Sequence, residues 1–168
     1  CLEVIAPAPS PVDSLGAKEI AKKIARDLKV IGVMAVEMFE TEGGELLVNE
    51  LAMRPHNSGH FSIEGSKTSQ FEQHLRAVLD LPLGDTDLVG GGSVMVNLLG
   101  VDSTKTLDEN YSTAMAKFPH LKFHSYQKAP RRGRKMGHIT ALGQNHLELL
   151  TDCHEAAELL YRTDLRIK

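Results

Sequence analysis

Two glutamates, Glu37 and Glu50, lie in apolar segments that alternate with the two-residue period of β-strands. If Gly43-Gly44 between them forms a two-residue hairpin turn, Glu37 and Glu50 face each other across the hairpin. Facing like charges cost roughly 0.2–1 kcal/mol, and a divalent cation held between them would remove this cost. Mg²⁺ commonly uses one or two carboxylates together with substrate phosphates. Simple alternation places these apolar residues on the faces of the two glutamates: Val33, Ala35 and Phe39 with Glu37, and Leu46 and Val48 with Glu50.

The same pattern also fits an ordinary hairpin whose carboxylates face solvent, or a longer turn with a different register. A polar loop, residues 54–60 (Arg-Pro-His-Asn-Ser-Gly-His), follows the second glutamate. Its cation, imidazoles, amide and hydroxyl suit the binding of a small anion and the transfer of a proton. The four-residue spacing of His56 and His60 would suit a metal on a helix, but the proline and glycine of the loop disfavour a helix. A surface loop that caps the next helix fits these residues equally well.

A second candidate site is a basic loop between two predicted strands. It can be a nucleic-acid patch, a solvated hairpin tip, or a phosphate-binding loop in which Gly133 lets the backbone approach an anion. The loop has little aromatic interleaving, which weakens the nucleic-acid interpretation. Its five cations are Lys128, Arg131, Arg132, Arg134 and Lys135.

Composition limits the class of protein. The chain has 168 residues, 42% of them apolar, which is enough for one domain or two small ones. The formal charge of −3 argues against a chain whose whole surface binds nucleic acid. No apolar run approaches the ~18–20 residues of a membrane helix. The two cysteines lie far apart in the chain, so we expect a reduced, cytoplasmic setting.

Periodicity and capping signals predict the elements that position these residues. A Gly-rich stretch at residues 84–92 is the best candidate domain boundary, and Ser69 with Glu72 forms a capping-box pattern. We expect the histidines outside the polar loop to be surface or hydrogen-bonded positions. The predicted strands are 2–6, 33–39, 45–51, 94–99, 121–126 and 136–142, and the predicted helices are about 13–28, 69–79 and 107–118, with a last helix from Asn145.

Five short motifs occur in a fixed order: Val36-Glu-Met-Phe39, Leu47-Val-Asn-Glu50, Arg54-Pro-His-Asn-Ser-Gly-His60, Thr68-Ser-Gln-Phe-Glu72 and Gly133-Arg-Lys-Met-Gly-His138. Together they resemble the 5-(carboxyamino)imidazole ribonucleotide synthases, ATP-grasp enzymes of purine biosynthesis. The similarity covers most of the chain. Members of that family are about twice as long, so the resemblance implies the C-terminal half of such an enzyme, without activity by itself.

The resemblance implies an α+β fold. Residues 1–82 would form the C-terminal part of an ATP-grasp domain, an antiparallel sheet with helices. Residues 83–168 would form a small, mainly β domain that closes on the substrate. The implied reaction is the ATP-dependent carboxylation of 5-aminoimidazole ribonucleotide by bicarbonate through carboxyphosphate, yielding ADP and phosphate.

The resemblance also assigns roles to single residues. Glu37 and Glu50 would bind Mg²⁺, with Mn²⁺ as an alternative, and Asn49 and Glu50 would line the ATP site. The remaining implied residues are Arg54, His56, Asn57 and Ser58 for bicarbonate or carboxyphosphate, and Lys128, Arg134 and Lys135 for the phosphate of the nucleotide substrate.

Other functions remain open. The formate-dependent glycinamide ribonucleotide transformylases are similar over the hairpin, but their loop reads His-Asp-Thr-Gly where this chain has His56-Asn-Ser-Gly59. Biotin carboxylase is a more distant option, and a non-catalytic domain that binds phosphate or nucleic acid is the alternative from another class. For the family reading we expect a homodimer, functional coupling to the mutase of the same pathway, and no nucleic-acid or membrane partner.

Overall fold

The computed structural model describes residues 1–9, 14–101 and 107–161. The chain forms two compact units, residues 6–88 and residues 1–5 with 89–168. Within the described residues, no helix is long and apolar enough to cross a membrane. In chain order the elements are β1 (Glu3–Ala6), α1 (Ser14–Asp27), β2 (Ala35–Glu40), β3 (Leu46–Ala52), α2 (Ser62–Gly65), α3 (Gln70–Val78), β4 (Ser93–Leu99), α4 (Tyr111–Lys117), β5 (Lys122–Ser125), β6 (Lys135–Leu142) and α5 (His146–Tyr161), with 3₁₀ turns at Asn57–Gly59 and Leu107–Asn110.

The antiparallel β2–β3 hairpin closes with a longer turn than the sequence predicted. The backbone N–H of Thr41 donates to the carbonyl of Glu45 (2.9 Å), and the N–H of Gly44 donates to the carbonyl of Thr41 (2.9 Å). The loop therefore holds three residues, 42–44, and the predicted two-residue Gly43-Gly44 turn is wrong. Gly44 has φ +80°, the left-handed conformation that a three-residue hairpin loop requires at its last position.

A β-bulge beside Glu37 compensates for this shift in register. Met38 pairs with Val48, whereas Glu37 pairs with Glu50. Asn49 is therefore the additional residue in β3. The predicted pairing of Glu37 with Glu50 is confirmed, although the predicted turn is not.

The bulge also changes which residues share a face of β3. Simple alternation predicted that Leu46 and Val48 lie on the face of Glu50. Because the additional residue reverses the alternation, Leu47 shares that face instead.

Helix α3 begins where the capping pattern predicted. The Ser69 hydroxyl accepts a hydrogen bond from the N–H of Glu72 at 3.2 Å. The Glu72 carboxylate pairs with Arg76, one turn later, at 2.6 Å. The large apolar side chains of this helix and its C-cap are not buried in the described chain. They are 40–64% exposed: Phe71, Leu75, Val78 and Leu79.

The predicted boundary segment, 84–92, is fixed to the first unit at its start. The Gln73 amide accepts from the N–H of Gly84 (3.0 Å) and donates to its carbonyl (2.7 Å). Lys67 pairs with Asp85 and Asp87 at 2.6 and 2.9 Å. These contacts place the start of the segment within residues 6–88. The domain limits 1–82 and 83–168 stay a prediction.

The second unit contains a four-stranded sheet in the order β1-β4-β6-β5, with β4–β6 and β5–β6 antiparallel. Helices α4 and α5 pack together, and α5 also packs on β4 and β6. The Asn145 side chain caps α5 by accepting from the N–H of Glu148 (3.4 Å) and donating to its carboxylate (2.8 Å). The core is one cluster of apolar side chains: Val94, Val96, Leu98, Ala114, Phe118, Leu121, Ile139, Ala141, Leu149, Cys153, Ala156, Leu159 and Leu160.

Candidate active site

The hairpin and the polar loop bring three potential ligands together in the unit of residues 6–88. One ligand atom from each of Glu37, Glu50 and His56 lies within 4.8 Å of the others. Glu50 is exposed and Glu37 is half-buried, whereas His56 is 8% exposed. The carboxylates of this group are therefore accessible to solvent, whereas its imidazole is buried.

Hydrogen bonds at both ring nitrogens orient the His56 side chain. The Ser58 hydroxyl lies 2.8 Å from Nδ1 of His56, and the Ser58 N–H donates to the same nitrogen at 3.4 Å. Because the backbone N–H can only donate, Nδ1 is an acceptor, and the ring proton is on Nε2. Nε2 lies 3.2 Å from Oε1 of Glu37 and donates to it. The His56 ring thus orients the Glu37 carboxylate.

The second oxygen of Glu37 is oriented by the bulge residue. Nδ2 of Asn49 donates to Oε2 of Glu37 at 3.3 Å. A bulge commonly redirects a side chain next to a functional site. The additional residue in β3 thus supplies a neutral donor to Glu37, and the ATP-binding role expected of Asn49 stays a prediction.

The donor set fits a hard divalent cation. Within the described chain, the side chain of Glu50 has no hydrogen-bond or ion-pair partner. No lysine or arginine of the described residues forms an ion pair with Glu37. Two facing carboxylates without a positive neighbour are a favourable site for Mg²⁺ or Mn²⁺, which bind oxygen ligands.

The rest of the polar loop is arranged around a 3₁₀ turn. Asn57 and Ser58 lie in this turn, next to His56. The Arg54 side chain is exposed, and its Nη1 donates to the carbonyl of Pro55 at 3.0 Å. Nδ1 of His60 lies 2.8 Å from Nε2 of Gln70, and His60 is not part of the ligand group. The loop thus carries an exposed guanidinium beside polar side chains, and its anion-binding role stays a prediction.

Gln70 contacts the site although its sequence position did not indicate such a role. Its side-chain amide bonds both backbone groups of His56, 14 positions earlier in the chain. The only sequence signal was its place in the Thr68–Glu72 motif, directly after the helix cap. A polar residue at the first position of a helix is ordinary, so its type alone did not indicate a contact.

The cations predicted to bind the substrate phosphate lie in the other unit. Nζ of Lys128 lies 4.9 Å from the centre of the Tyr126 ring, and Nη1 of Arg134 donates to the carbonyl of Ala129 at 3.3 Å. Lys135 begins β6. Lys128 also lines a surface pocket of about 380 Å³. The structure thus places the three cations on one loop and strand end, and their role stays a prediction.

Of the remaining histidines, several lie at surface or hydrogen-bonded positions as expected, but Nε2 of His146 is buried without a hydrogen-bond partner in the described chain. His138 is buried and bonds the Tyr126 hydroxyl through Nδ1 (2.8 Å). It stacks on His124 with ring centres 4.3 Å apart. His120 pairs with Asp152 at 3.0 Å on the surface.

Comparison with known families identifies both units. A model of the ATP-grasp domain matches residues 1–71, which include the whole carboxylate group and the polar loop. A model of the phosphoribosylaminoimidazole carboxylase C-terminal domain matches residues 93–152. The chain therefore combines part of an ATP-grasp domain with this second domain.

Similar proteins narrow the class further. The N5-carboxyaminoimidazole ribonucleotide synthase of Mycobacterium bovis is 52% identical over 164 residues, which cover 95% of this chain and 38% of that protein. The crystal structure of the synthetase from Thermotoga maritima has a TM-score of 0.80 at 41% identity, over 92% of this chain and 44% of that one. Over nearly its whole length, the chain is therefore similar to part of the N5-carboxyaminoimidazole ribonucleotide synthases.

Several similar structures contain bound ligands. The N5-carboxyaminoimidazole synthase from Aspergillus clavatus, in complex with ADP and 5-aminoimidazole ribonucleotide, has a TM-score of 0.84 at 36% identity. The alignment covers 96% of this chain and 44% of that chain. This chain thus spans about two fifths of the length of the relatives it matches.

Proposed function

We propose that the protein takes part in the ATP-dependent carboxylation of 5-aminoimidazole ribonucleotide with bicarbonate in purine biosynthesis. The products are 5-(carboxyamino)imidazole ribonucleotide, ADP and phosphate. The observation that carries this proposal is the Glu37–Glu50 pair beside His56, inside a chain similar to part of these synthases. The ADP and aminoimidazole ribonucleotide bound to the Aspergillus clavatus relative support the choice of substrates.

In this proposal Glu37 and Glu50 hold Mg²⁺, or Mn²⁺ in its place. The cation supplies charge neutralisation on the transferring phosphoryl group. Asn49 and Glu50 line the ATP site. The hydrogen bonds from His56 and Asn49 to Glu37 support this arrangement, because they restrict the carboxylate to one orientation.

The polar loop binds the bicarbonate-derived anion. The Arg54 guanidinium suits a planar anion because its donors form a fixed fork. The backbone turn at residues 57–59 keeps Asn57 and Ser58 beside His56. Lys128, Arg134 and Lys135 bind the ribonucleotide phosphate, and the local excess of positive charge on their loop supports this role.

The family resemblance also suggests a homodimer and functional coupling to the mutase of the same pathway. Both are part of the proposal. Its nucleotide ligand is a small molecule, and no nucleic-acid partner is proposed.

The decisive experiment measures ADP formation by the protein in the length in which its native source produces it. We expect turnover to need both bicarbonate and 5-aminoimidazole ribonucleotide, and Glu50→Gln to lower kcat at least ~100-fold. Glu42→Gln, in the exposed turn of the same hairpin, is the matched control and should retain activity. Turnover with formate in place of bicarbonate would support a transformylase instead. Salt-sensitive binding to random DNA, without turnover, would support the non-catalytic alternative.

A further inference from the structure

We propose that Gln70 is a positioning residue that holds the His56 imidazole against Glu37. The contact between Gln70 and His56 is argued from hydrogen-bond geometry. Its effect on metal binding at Glu37 rests on the proposed function. Gln70 is half-buried at the first position of α3, and its amide reaches the backbone of the polar loop.

The amide of Gln70 pairs with His56 as a neighbouring β-strand would. Oε1 accepts from the N–H of His56 at 2.9 Å, and Nε2 donates to the carbonyl of His56 at 2.8 Å. The second proton of Nε2 faces Nδ1 of His60 at 2.8 Å. Rotating the amide by half a turn would place donor against donor and acceptor against acceptor at His56. This network therefore fixes the amide in one orientation.

Gly59 in the polar loop leaves space for this amide, and a backbone hydrogen bond fixes Gln70 at the start of α3. A Cβ atom on Gly59 would lie 2.7 Å from Cδ of Gln70 and closer still to Oε1, so a side chain at 59 would displace the amide. The N–H of Gln70 donates to the Ser62 hydroxyl at 2.9 Å, and that hydroxyl donates to the Gly59 carbonyl at 2.6 Å. The position of Gln70 is thus set by its backbone as well as by its side chain.

The consequence reaches Glu37 through His56. With its backbone held on both sides and Nδ1 bonded by Ser58, the ring has one orientation, in which Nε2 donates to Glu37. The Glu37 oxygen that receives this bond is thereby fixed relative to Glu50. Groups that orient a metal ligand from behind typically change metal affinity 10–100-fold when they are removed.

The chain offers a matched control for this contact. Gln73 lies on the same helix, is also half-buried, and bonds both backbone groups of Gly84 in the same manner. Gln70→Met and Gln73→Met each remove a pair of hydrogen bonds to the backbone of one residue at similar side-chain volume, and Gln70→Met also removes the contact with His60. Only the first touches His56.

The experiment measures the reactivity of His56 towards diethylpyrocarbonate by peptide mass spectrometry, with no metal added. The reaction of the exposed His120 serves as the internal reference. We expect His56 to be protected in the native protein and in Gln70→Met to react at least 10-fold faster. Gln73→Met should retain the native protection. Gly59→Ala should expose His56 as Gln70→Met does, because it displaces the amide without removing it.

Mn²⁺ titration then connects the contact to the proposed function. We expect Gln70→Met to weaken Mn²⁺ binding about 10-fold, with Gln73→Met unchanged. If the Gln70→Met protein folds and its His56 is as protected from diethylpyrocarbonate as in the native protein, the inference is overturned. If Gln70→Met does not fold, native protection in Gly59→Ala overturns it. Absence of Mn²⁺ binding by the native protein would overturn the proposed metal site, while the diethylpyrocarbonate result still decides the role of Gln70.

Discussion

Thr140 is a fully buried residue of β6 with a polar atom that the fold does not satisfy. Its exposed fraction is 0%, and within the described chain its hydroxyl oxygen has no hydrogen-bond partner. Ser93 in β4 is equally buried, but its hydroxyl donates to the carbonyl of Ala141 at 3.1 Å. A buried hydroxyl without a partner loses its bonds to water and gains none in return. The two hydroxyls should therefore have opposite effects on stability.

Replacing the two hydroxyls tests this difference at the scale of single residues. We expect Thr140→Val, which keeps the shape of the side chain, to raise the free energy of unfolding by about 1 kcal/mol. Ser93→Ala should lower it by about 1 kcal/mol, because a buried hydrogen bond is lost. Urea unfolding followed by circular dichroism measures both. A destabilised Thr140→Val protein would show that the hydroxyl is satisfied.

At the scale of elements, backbone contacts hold the basic loop to the end of β4. The N–H of Gly100 donates to the carbonyl of Arg134 at 2.6 Å, and the N–H of Gly133 donates to the carbonyl of Gly100 at 2.8 Å. A Cβ atom on Gly100 would lie 2.2 Å from the carbonyl oxygen of Arg131. The cations of this loop are therefore presented by a backbone arrangement that only glycine at position 100 permits.

Gly100→Ala should displace the basic loop. Because the nearest atoms are backbone, we expect a loss of about 1–3 kcal/mol in the free energy of unfolding. Trypsin should also cleave faster within residues 128–135. Gly43→Ala is the control, since its Cβ would meet only the Thr41 hydroxyl at 3.7 Å, and should change stability by less than about 0.5 kcal/mol. Equal stability and equal cleavage of the two variants would contradict this account of Gly100.

At the scale of the whole molecule, the unit of residues 6–88 exposes much apolar surface. In that unit neither α1 nor α3 has a buried residue, and large apolar side chains on and beside these helices are exposed. Contiguous exposed apolar surface typically marks a place where another protein surface binds. The large apolar side chains concerned are between 40% and 76% exposed and include Leu28, Ile31, Phe71, Leu75, Val78 and Leu79.

We therefore expect the 168-residue chain by itself to self-associate and to bind a hydrophobic dye. Dye fluorescence and light scattering measure the two effects. Replacing Leu75 and Leu79 by serine should lower both signals, because it removes exposed apolar area from α3. Lys18→Ser on the exposed side of α1 is the control and should leave them unchanged. A monodisperse chain that binds no dye would contradict the prediction.

Local patterns predicted most elements because their causes are local. The Ser69 cap, the Asn145 cap and the two-residue alternation of β2 each depend on neighbours within a few positions. The pairing of Glu37 with Glu50 was also predicted correctly, although two compensating features produced it: a longer turn and a bulge at Asn49. A bulge depends on the partner strand, so alternation within one strand did not reveal it.

The sequence by itself determined the types of groups available to the site, the order of the elements and the family resemblance. The tertiary structure alone decided that His56 donates to Glu37 and that Gln70 holds His56 in place. These contacts join residues 19 and 14 positions apart, from a strand, a loop and a helix. Their geometry follows from how these elements pack, and burial of His56 makes its few hydrogen bonds decisive because no water can replace them.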